Sequence, residues 1–167
     1  TDYAIGKFLK EASKRPWYTN TVFIIAADHC ASSAGKTELP IDKYHIPMII
    51  FSPGNIQSGI QDRLMSQIDI APTLLGMLNF SYTSKFFGYD IFALPEGQER
   101  AFISTYQLLG YMKHDSLVIL APNEPAEVYV SAKDHDAVKK VSTQASTSRL
   151  VPEAIAWYQT ASNAFKN

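Results

Sequence analysis

Residues 21–30 read TVFIIAADHC, and this stretch decides the fold. Four consecutive apolar residues, Val22 to Ile25, include three β-branched side chains. A short continuous apolar run of this composition predicts a β-strand buried on both faces, as in a parallel sheet. In open α/β sheets, ligands bind beyond the carboxyl ends of such strands. Asp28 and His29 lie at that end, so the sequence predicts a functional site there.

Asp28 and His29 are the candidate metal ligands, because a carboxylate and an imidazole both bind divalent cations such as zinc or manganese. The dipeptide by itself is weak evidence. The alternative interpretation is a helix cap followed by a polar loop residue. Two ligands do not complete a metal site, so one or two further side chains have to join them.

His45 is the candidate substrate-binding residue. It lies 16 residues after His29 and immediately before a second apolar strand, predicted over residues 46–51. Neighbouring strands lie about 5 Å apart, so adjacency of the two strands would let the imidazole face the same pocket as a ligand or a phosphate contact. The alternative is a surface histidine at the end of a loop. Cys30 is the single cysteine, and a small buried residue is favoured over a ligand.

Composition describes an ordinary globular chain. Its 167 residues are 46% apolar and 19% charged, which suits one domain with a real core. The net charge of −1 gives no indication of a nucleic-acid partner. No apolar stretch approaches the roughly 18 residues that a membrane span needs. The chain begins at Thr1 on the threshold of a helix, which favours a piece of a longer protein.

Helical and strand patterns predict an α/β core followed by a β-rich part. A helix precedes the first strand, a loop is expected over 31–44, and a second helix is expected to begin with Asp69 as its N-cap. Beyond residue 100, short apolar runs separated by turn signals predict an antiparallel meander, then a polar stretch and a closing helix. The predicted division is 1–98 for the core and 99–167 for the meander and helix, in one compact unit. The four meander strands are predicted over 101–106, 109–113, 117–120 and 127–130, and the polar stretch over 142–148.

Five motifs in order carry a family resemblance: TDYAIGKFL, NTVFIIAADHC, YHIPMIIFSPG, SQIDIAPTLLGML and FFGYDIF. The series resembles the C-terminal part of the sulfatase branch of the alkaline phosphatase superfamily, in particular the lipoteichoic acid synthase and phosphoglycerol transferase group. The likeness covers residues 1–92, and the meander over 101–131 is also similar. It implies an α/β fold: the C-terminal portion of an alkaline-phosphatase-like sheet with flanking helices, a small antiparallel β subdomain and a C-terminal helix.

The resemblance also implies a chemistry. Members of the superfamily are metal-dependent enzymes that cleave phosphate or sulfate esters, and in the phosphoglycerol transferase group a threonine takes phosphoglycerol from phosphatidylglycerol. The metal, manganese or zinc, or calcium in a sulfatase, is held by an upstream Glu, the Thr nucleophile and an adjacent Asp-His pair. Asp28 and His29 match that pair. His45 occupies a place where some members, such as cofactor-independent phosphoglycerate mutase, put another metal-binding histidine.

The matching nucleophile and Glu ligand lie upstream of Thr1 in the family, so no catalytic residue is assigned here. We therefore expect a fragment that binds metal weakly and is inactive alone. Its expected partners are the N-terminal part of the same enzyme and a phosphoglycerol lipid or sulfate ester, outside the cytoplasm and anchored by membrane spans of the parent. Exposed sheet edges predict a homodimer. The alternatives are an aryl- or glycan-sulfatase fragment and a non-catalytic binding or structural module.

Overall fold

A computed structural model describes residues 1–30, 39–131, 138–141 and 149–166. Within these ranges the chain forms three α-helices, three short 3₁₀ turns and seven β-strands. The helices are α1 (Asp2–Ala12), α2 (Ile70–Met77) and α3 (Leu150–Lys166), and the 3₁₀ turns are Tyr18–Asn20, Ile41–Lys43 and Gln67–Asp69. The strands are β1 (Phe23–Ala26), β2 (Met48–Phe51), β3 (Arg100–Ser104), β4 (Leu109–Lys113), β5 (Ser116–Leu120), β6 (Glu127–Ser131) and β7 (Val138–Val141).

Contacts group the chain into two compact units. The first consists of residues 1–33 and 43–61, and the second of residues 34–42 and 62–167. The division at residue 98 stays a prediction. The loop over 31–44 lies outside the described residues as far as position 38, and its described end contains a 3₁₀ turn. The polar stretch over 142–148 also lies outside the described residues.

The first unit contains a two-stranded sheet in which β1 and β2 run antiparallel. Phe23 pairs with Phe51 at one end, and Ala26 pairs with Met48 at the other. The prediction of a parallel arrangement was therefore wrong for these two strands. Only Phe23 of β1 is buried, while Ala26 is exposed, so burial on both faces was wrong as well. An apolar β-branched run specifies an extended backbone but does not fix the direction of its neighbour.

Aromatic packing holds α1 against this sheet. The rings of Phe8 and Phe23 meet edge to face with centroids 5.9 Å apart. Phe23 also packs on Tyr18 at 5.6 Å and stacks on Phe51 at 6.0 Å. Such pairs stabilise a fold by about 0.5–1.5 kcal/mol each beyond their area burial. Phe23 is therefore the centre of the core of the first unit.

The second unit contains a five-stranded antiparallel meander in the order β3-β4-β5-β6-β7. The four strands predicted from the sequence are confirmed, and β7 is an additional strand. Tyr111 of β4, Val118 of β5 and Ala154 of α3 are completely buried in one cluster, so the closing helix covers this sheet. The predicted fold class is confirmed: mixed α/β, with antiparallel strands and a C-terminal helix. None of the described helices is long and apolar enough to cross a membrane.

Asp69 has a different role from the one predicted. It does precede α2, but its carboxylate makes no capping hydrogen bond to that helix. The carboxylate is completely buried and accepts hydrogen bonds from the backbone N–H groups of Ser66 and Tyr89, both at 2.8 Å. It also forms a bidentate ion pair with Arg100, at 2.8 and 2.9 Å. The N-cap prediction was wrong because Asp69 stands three residues after the cap: it completes a capping box with Ser66, and its carboxylate is otherwise occupied by Tyr89 and Arg100.

Candidate functional site

The end of β1 presents Asp28 and His29 to solvent. Their side chains are 87% and 67% exposed, which matches their predicted place beyond the strand. The backbone N–H of His29 donates to Asp28 Oδ1 at 2.9 Å. Asp28 Oδ2 lies 3.5 Å from His29 Nε2. The two side chains therefore turn toward each other, and each keeps a face open to solvent.

The hydrogen bond of His29 Nδ1 decides which ring nitrogen is free. Nδ1 lies 2.9 Å from the carbonyl oxygen of Cys30. A carbonyl can only accept, so Nδ1 carries the proton in this bond and Nε2 of the neutral ring keeps its lone pair. Metal-binding histidines have this arrangement, with the other ring N–H donated to a carbonyl or carboxylate. In the neutral ring the lone pair of Nε2 therefore lies on the side where Asp28 is placed.

Asp28 is held in its charged form. The hydrogen bond from the His29 N–H, a second backbone hydrogen bond and the positive charge of the His29 ring when it is protonated lower the pKa of Asp28 below its ordinary value. An ionised carboxylate is the form that coordinates hard and borderline divalent cations. Asp28 thus needs no deprotonation before it binds a cation at neutral pH.

His45 contributes its backbone to this region. Its side chain is exposed, and its carbonyl oxygen lies 3.5 Å from the sulfur of Cys30, which donates to it. The residues just beyond the β1 and β2 ladder are therefore adjacent. The contact that the structure shows is made by the carbonyl of His45, and its imidazole role in substrate binding stays a prediction.

The donor set fits part of a divalent metal site. One carboxylate oxygen and one imidazole nitrogen suit zinc or manganese. Across the described ranges, no cluster of three or more His, Cys, Asp or Glu side chains is placed to hold a metal ion. The two residues fit a metal that takes its remaining ligands from elsewhere. Within this chain Asp28 and His29 would hold it from one side.

A separate cleft of 510 Å³ lies in the second unit. Arg63 lines this cleft. Its guanidinium donates to Glu99 at 2.7 Å and to the carbonyls of Ile91 and Leu94 at 2.5 and 2.8 Å. These bonds leave it little capacity to bind an external anion. The cleft is lined by Asp62, Arg63, Leu64, Glu96, Gly97, Glu99 and His114.

Sequence reasoning missed Arg100, which is 2% exposed and is the partner of Asp69. Its guanidinium lies 4.5 Å from the centre of the Tyr89 ring and 5.2 Å from that of Trp157. The neighbouring sequence, GQERAFIS, gave no signal for a buried cation. This cluster is structural, because the guanidinium is enclosed by protein groups on several sides.

The chain resembles known proteins over its first half in sequence and over nearly its whole length in fold. Residues 1–80 match the family model for sulfatases. An endo-4-O-sulfatase from Bacteroides thetaiotaomicron is 34% identical over 82 residues, which are 46% of this chain and 16% of that protein. A solved protein of the alkaline phosphatase superfamily from Vibrio parahaemolyticus matches 99% of this chain at 31% identity, with a TM-score of 0.88.

A second solved structure, Ps i-CgsB, matches 96% of the chain at 16% identity with a TM-score of 0.64, which is a likeness of fold. The chain spans 40% of the length of each of these two solved chains and 16% of the curated relative. Asp28, His29 and His45 all fall within the residues that match the sulfatase family model.

Proposed function

The chain carries a sulfatase-type segment of the alkaline phosphatase superfamily, and we propose that this segment supplies the Asp28–His29 half of a divalent metal centre. The reaction class is cleavage of a phosphate or sulfate ester. One observation carries the proposal. His29 Nδ1 is bonded to the Cys30 carbonyl, and Nε2 lies 3.5 Å from Asp28 Oδ2. A bound cation would draw charge from an ester oxygen and favour attack at the phosphorus or sulfur.

The parent enzyme in this proposal is a phosphoglycerol transferase that works outside the cytoplasm and is anchored in the membrane. The five ordered motifs and the meander support that assignment. The solved structure that matches 99% of the chain at 31% identity belongs to the alkaline phosphatase superfamily, and this supports the superfamily level. Manganese or zinc is the proposed metal, since both accept mixed nitrogen and oxygen ligands.

Sulfate-ester hydrolysis is the second candidate. The observation that favours it is the 34% identity to a protein named as an endo-4-O-sulfatase. Calcium is then the metal to test, as the resemblance to sulfatases implies. Assays of a longer protein that contains this segment, on p-nitrophenyl sulfate and on a phosphatidylglycerol analogue, distinguish the two candidate reactions. Turnover of only the first would overturn the transferase assignment.

The chain by itself is proposed to be inactive. The side chains of Asp28 and His29 are exposed, and half a ligand set binds a metal weakly. We expect no turnover of bis-p-nitrophenyl phosphate or p-nitrophenyl sulfate with manganese, zinc or calcium. Activity that disappears in Asp28→Ala would contradict the inactivity and would place a nucleophile within these 167 residues.

Manganese broadening of NMR signals tests the metal site directly. We expect Mn²⁺ to broaden the backbone resonances of residues 26–30 selectively, since a paramagnetic ion relaxes nearby nuclei. Asp28→Asn and His29→Gln should each abolish the effect. His114 and Asp115 provide a matched control, because they are an adjacent, exposed pair of the same residue types on the β4–β5 turn. Equal broadening at both pairs would overturn the proposal.

A further inference from the structure

The orientation of His29 depends on where the carbonyl of Cys30 is held. That carbonyl accepts the Nδ1–H at 2.9 Å. His29 is 67% exposed, so packing gives its ring little restraint. An exposed ring in water samples several rotamers and both neutral tautomers. The observed orientation of the His29 ring therefore persists only if a contact beyond β1 holds the Cys30 carbonyl in place.

Two contacts continue the pairing of the strands past the end of the ladder. The regular ladder ends where Ala26 pairs with Met48. Beyond it, the backbone N–H of Ala27 donates to the Pro47 carbonyl at 3.2 Å. The thiol of Cys30 then donates to the His45 carbonyl at 3.5 Å, a normal length for a donor as large as sulfur. This second contact is made by the side chain of Cys30, the same residue whose carbonyl accepts the hydrogen bond from His29.

We propose that Cys30 is a positioning residue for the metal pair. Its thiol ties the backbone after His29 to the residue before β2, and its carbonyl then selects the Nδ1–H tautomer of His29. Nε2 is left unprotonated on the side of Asp28. The inference rests on the proposed role of Asp28 and His29 as metal ligands. It gives Cys30 no contact with the metal.

The chemistry of the side chain agrees with this role. Cys30 is partly buried, and a thiol is a small, weak donor whose loss leaves little unsatisfied polarity. Serine keeps a donor of similar size, whereas alanine removes it. A net hydrogen bond shifts an equilibrium by about two- to tenfold. We therefore expect Cys30→Ala to lower the ratio of Nδ1–H to Nε2–H tautomer at His29 by that factor, and Cys30→Ser to restore most of it.

Long-range ¹H–¹⁵N NMR spectra of the whole 167-residue chain read the tautomer. Spectra are recorded without metal, about one pH unit above the reference pKa of histidine, where most imidazoles are neutral and most thiols protonated. The His29 ring signals are assigned by their loss in His29→Gln. The ring of His114, which lies on the β4–β5 turn, serves as the internal control and should not respond to Cys30→Ala.

The outcomes separate this inference from the metal site itself. A wild-type His29 in the Nε2–H form overturns it without reference to any variant. An unchanged tautomer ratio in Cys30→Ala, with an unchanged thermal midpoint, overturns it too. A tautomer shift in Cys30→Ala supports the positioning role. If manganese broadens the signals of Asp28→Asn as much as those of wild type, the proposed metal site is wrong, whereas the tautomer result is unaffected.

Discussion

At the scale of single residues, two aspartates lie in opposite environments: the carboxylate of Asp28 is exposed to solvent, and that of Asp69 is buried. Asp28 keeps its charge in water, with a pKa lowered by backbone and imidazole contacts. Asp69 lies in the interior, where Arg100 and two backbone N–H groups take the place of water. The carboxylate of Asp28 keeps a face open to solvent. The buried one is fully used by the protein.

Arg100→Met should destabilise the fold strongly. The substitution leaves the buried carboxylate of Asp69 without its cation, and breaking a buried pair from one side costs about 3–5 kcal/mol. Urea denaturation followed by circular dichroism measures the free energy of unfolding. Arg149→Met is the matched control, since Arg149 is exposed and its loss should cost less than about 0.5 kcal/mol. Similar losses in both variants would contradict the assigned role of Arg100.

Glu153→Gln should destabilise the second unit in a pH-dependent way. Burial raises the pKa of Glu153, but hydrogen bonds from Lys113 and Tyr111, at 2.6 and 2.8 Å, outweigh it, and the net pKa is lowered. A lowered folded-state pKa stabilises the fold above the unfolded pKa and loses that effect as the pH falls through the folded value. Because the Glu153 side chain is 34% exposed, we expect a loss of only about 1 kcal/mol at pH 7.

The difference between wild type and Glu153→Gln should shrink below about pH 4, the reference range for glutamate. Thermal unfolding of both proteins across a pH series measures it. Glu96→Gln, at an exposed position, should show no such trend. If the difference in thermal midpoint between the two proteins stays constant down to acidic pH, the packing of the Glu153 side chain, rather than its charge, stabilises the contact.

At the scale of elements, two glycines allow close approach in the second unit, with different consequences. A Cβ at Gly88 would lie 1.9 Å from the backbone oxygen of Ile68 and 3.0 Å from the Cα of Asp69. A Cβ at Gly76 would lie 2.0 Å from Oδ2 and 2.7 Å from Cγ of Asp90. Backbone atoms cannot move away cheaply, whereas the Asp90 side chain can adopt another rotamer by giving up its hydrogen bond from the Phe92 N–H. The segment before α2 and the segment around residue 88 therefore pack at backbone distance.

Gly88→Ala should cost several kcal/mol, because it separates those two segments and disturbs the bonds to Asp69. Gly76→Ala should be much milder, since alanine gains about 1 kcal/mol of helix propensity in α2. Chemical denaturation of the two variants beside wild type provides the comparison. Equal destabilisation by both would show that the close approach at residue 88 can relax.

The strands differ in how well the sequence pattern predicts their pairing. The meander was predicted because its strands are short, apolar and separated by turn residues, and antiparallel neighbours joined by tight turns are a local matter. The partner of β1 was predicted less well. Its direction depends on how residues 31–47 return the chain, and an apolar run contains no information about that path.

At the scale of the whole molecule, the described strands leave open edges. β1 and β2 form a two-stranded sheet, so each has one unpaired side. Isolated two-stranded sheets are marginally stable, and open edges pair with other strands. Ile49 of β2 is 55% exposed and adds apolar surface there. The proposed partners that use such an edge are the N-terminal part of the parent enzyme or a second copy of the chain.

Self-association of the isolated chain tests the second of these partners. We expect sedimentation equilibrium to show a concentration-dependent dimer, and Ile49→Lys to weaken it, because a charge on an edge strand opposes pairing. Lys substitution at Tyr106, which is 99% exposed on the β3–β4 turn, is the control and should leave the dimer intact. A monomer at all concentrations would contradict the dimer proposal.

The sequence by itself determined where the helices and most of the strands lie, that Asp28 and His29 follow the first strand, and which superfamily the motifs resemble. These features follow from periodicity and local order, which are encoded within a few residues. Only the tertiary structure decided the antiparallel partner of β1, the burial of Asp69 on Arg100 and the contact between the Cys30 thiol and the His45 carbonyl. Those depend on contacts between residues far apart in the chain, where packing and hydrogen-bond competition override local preference.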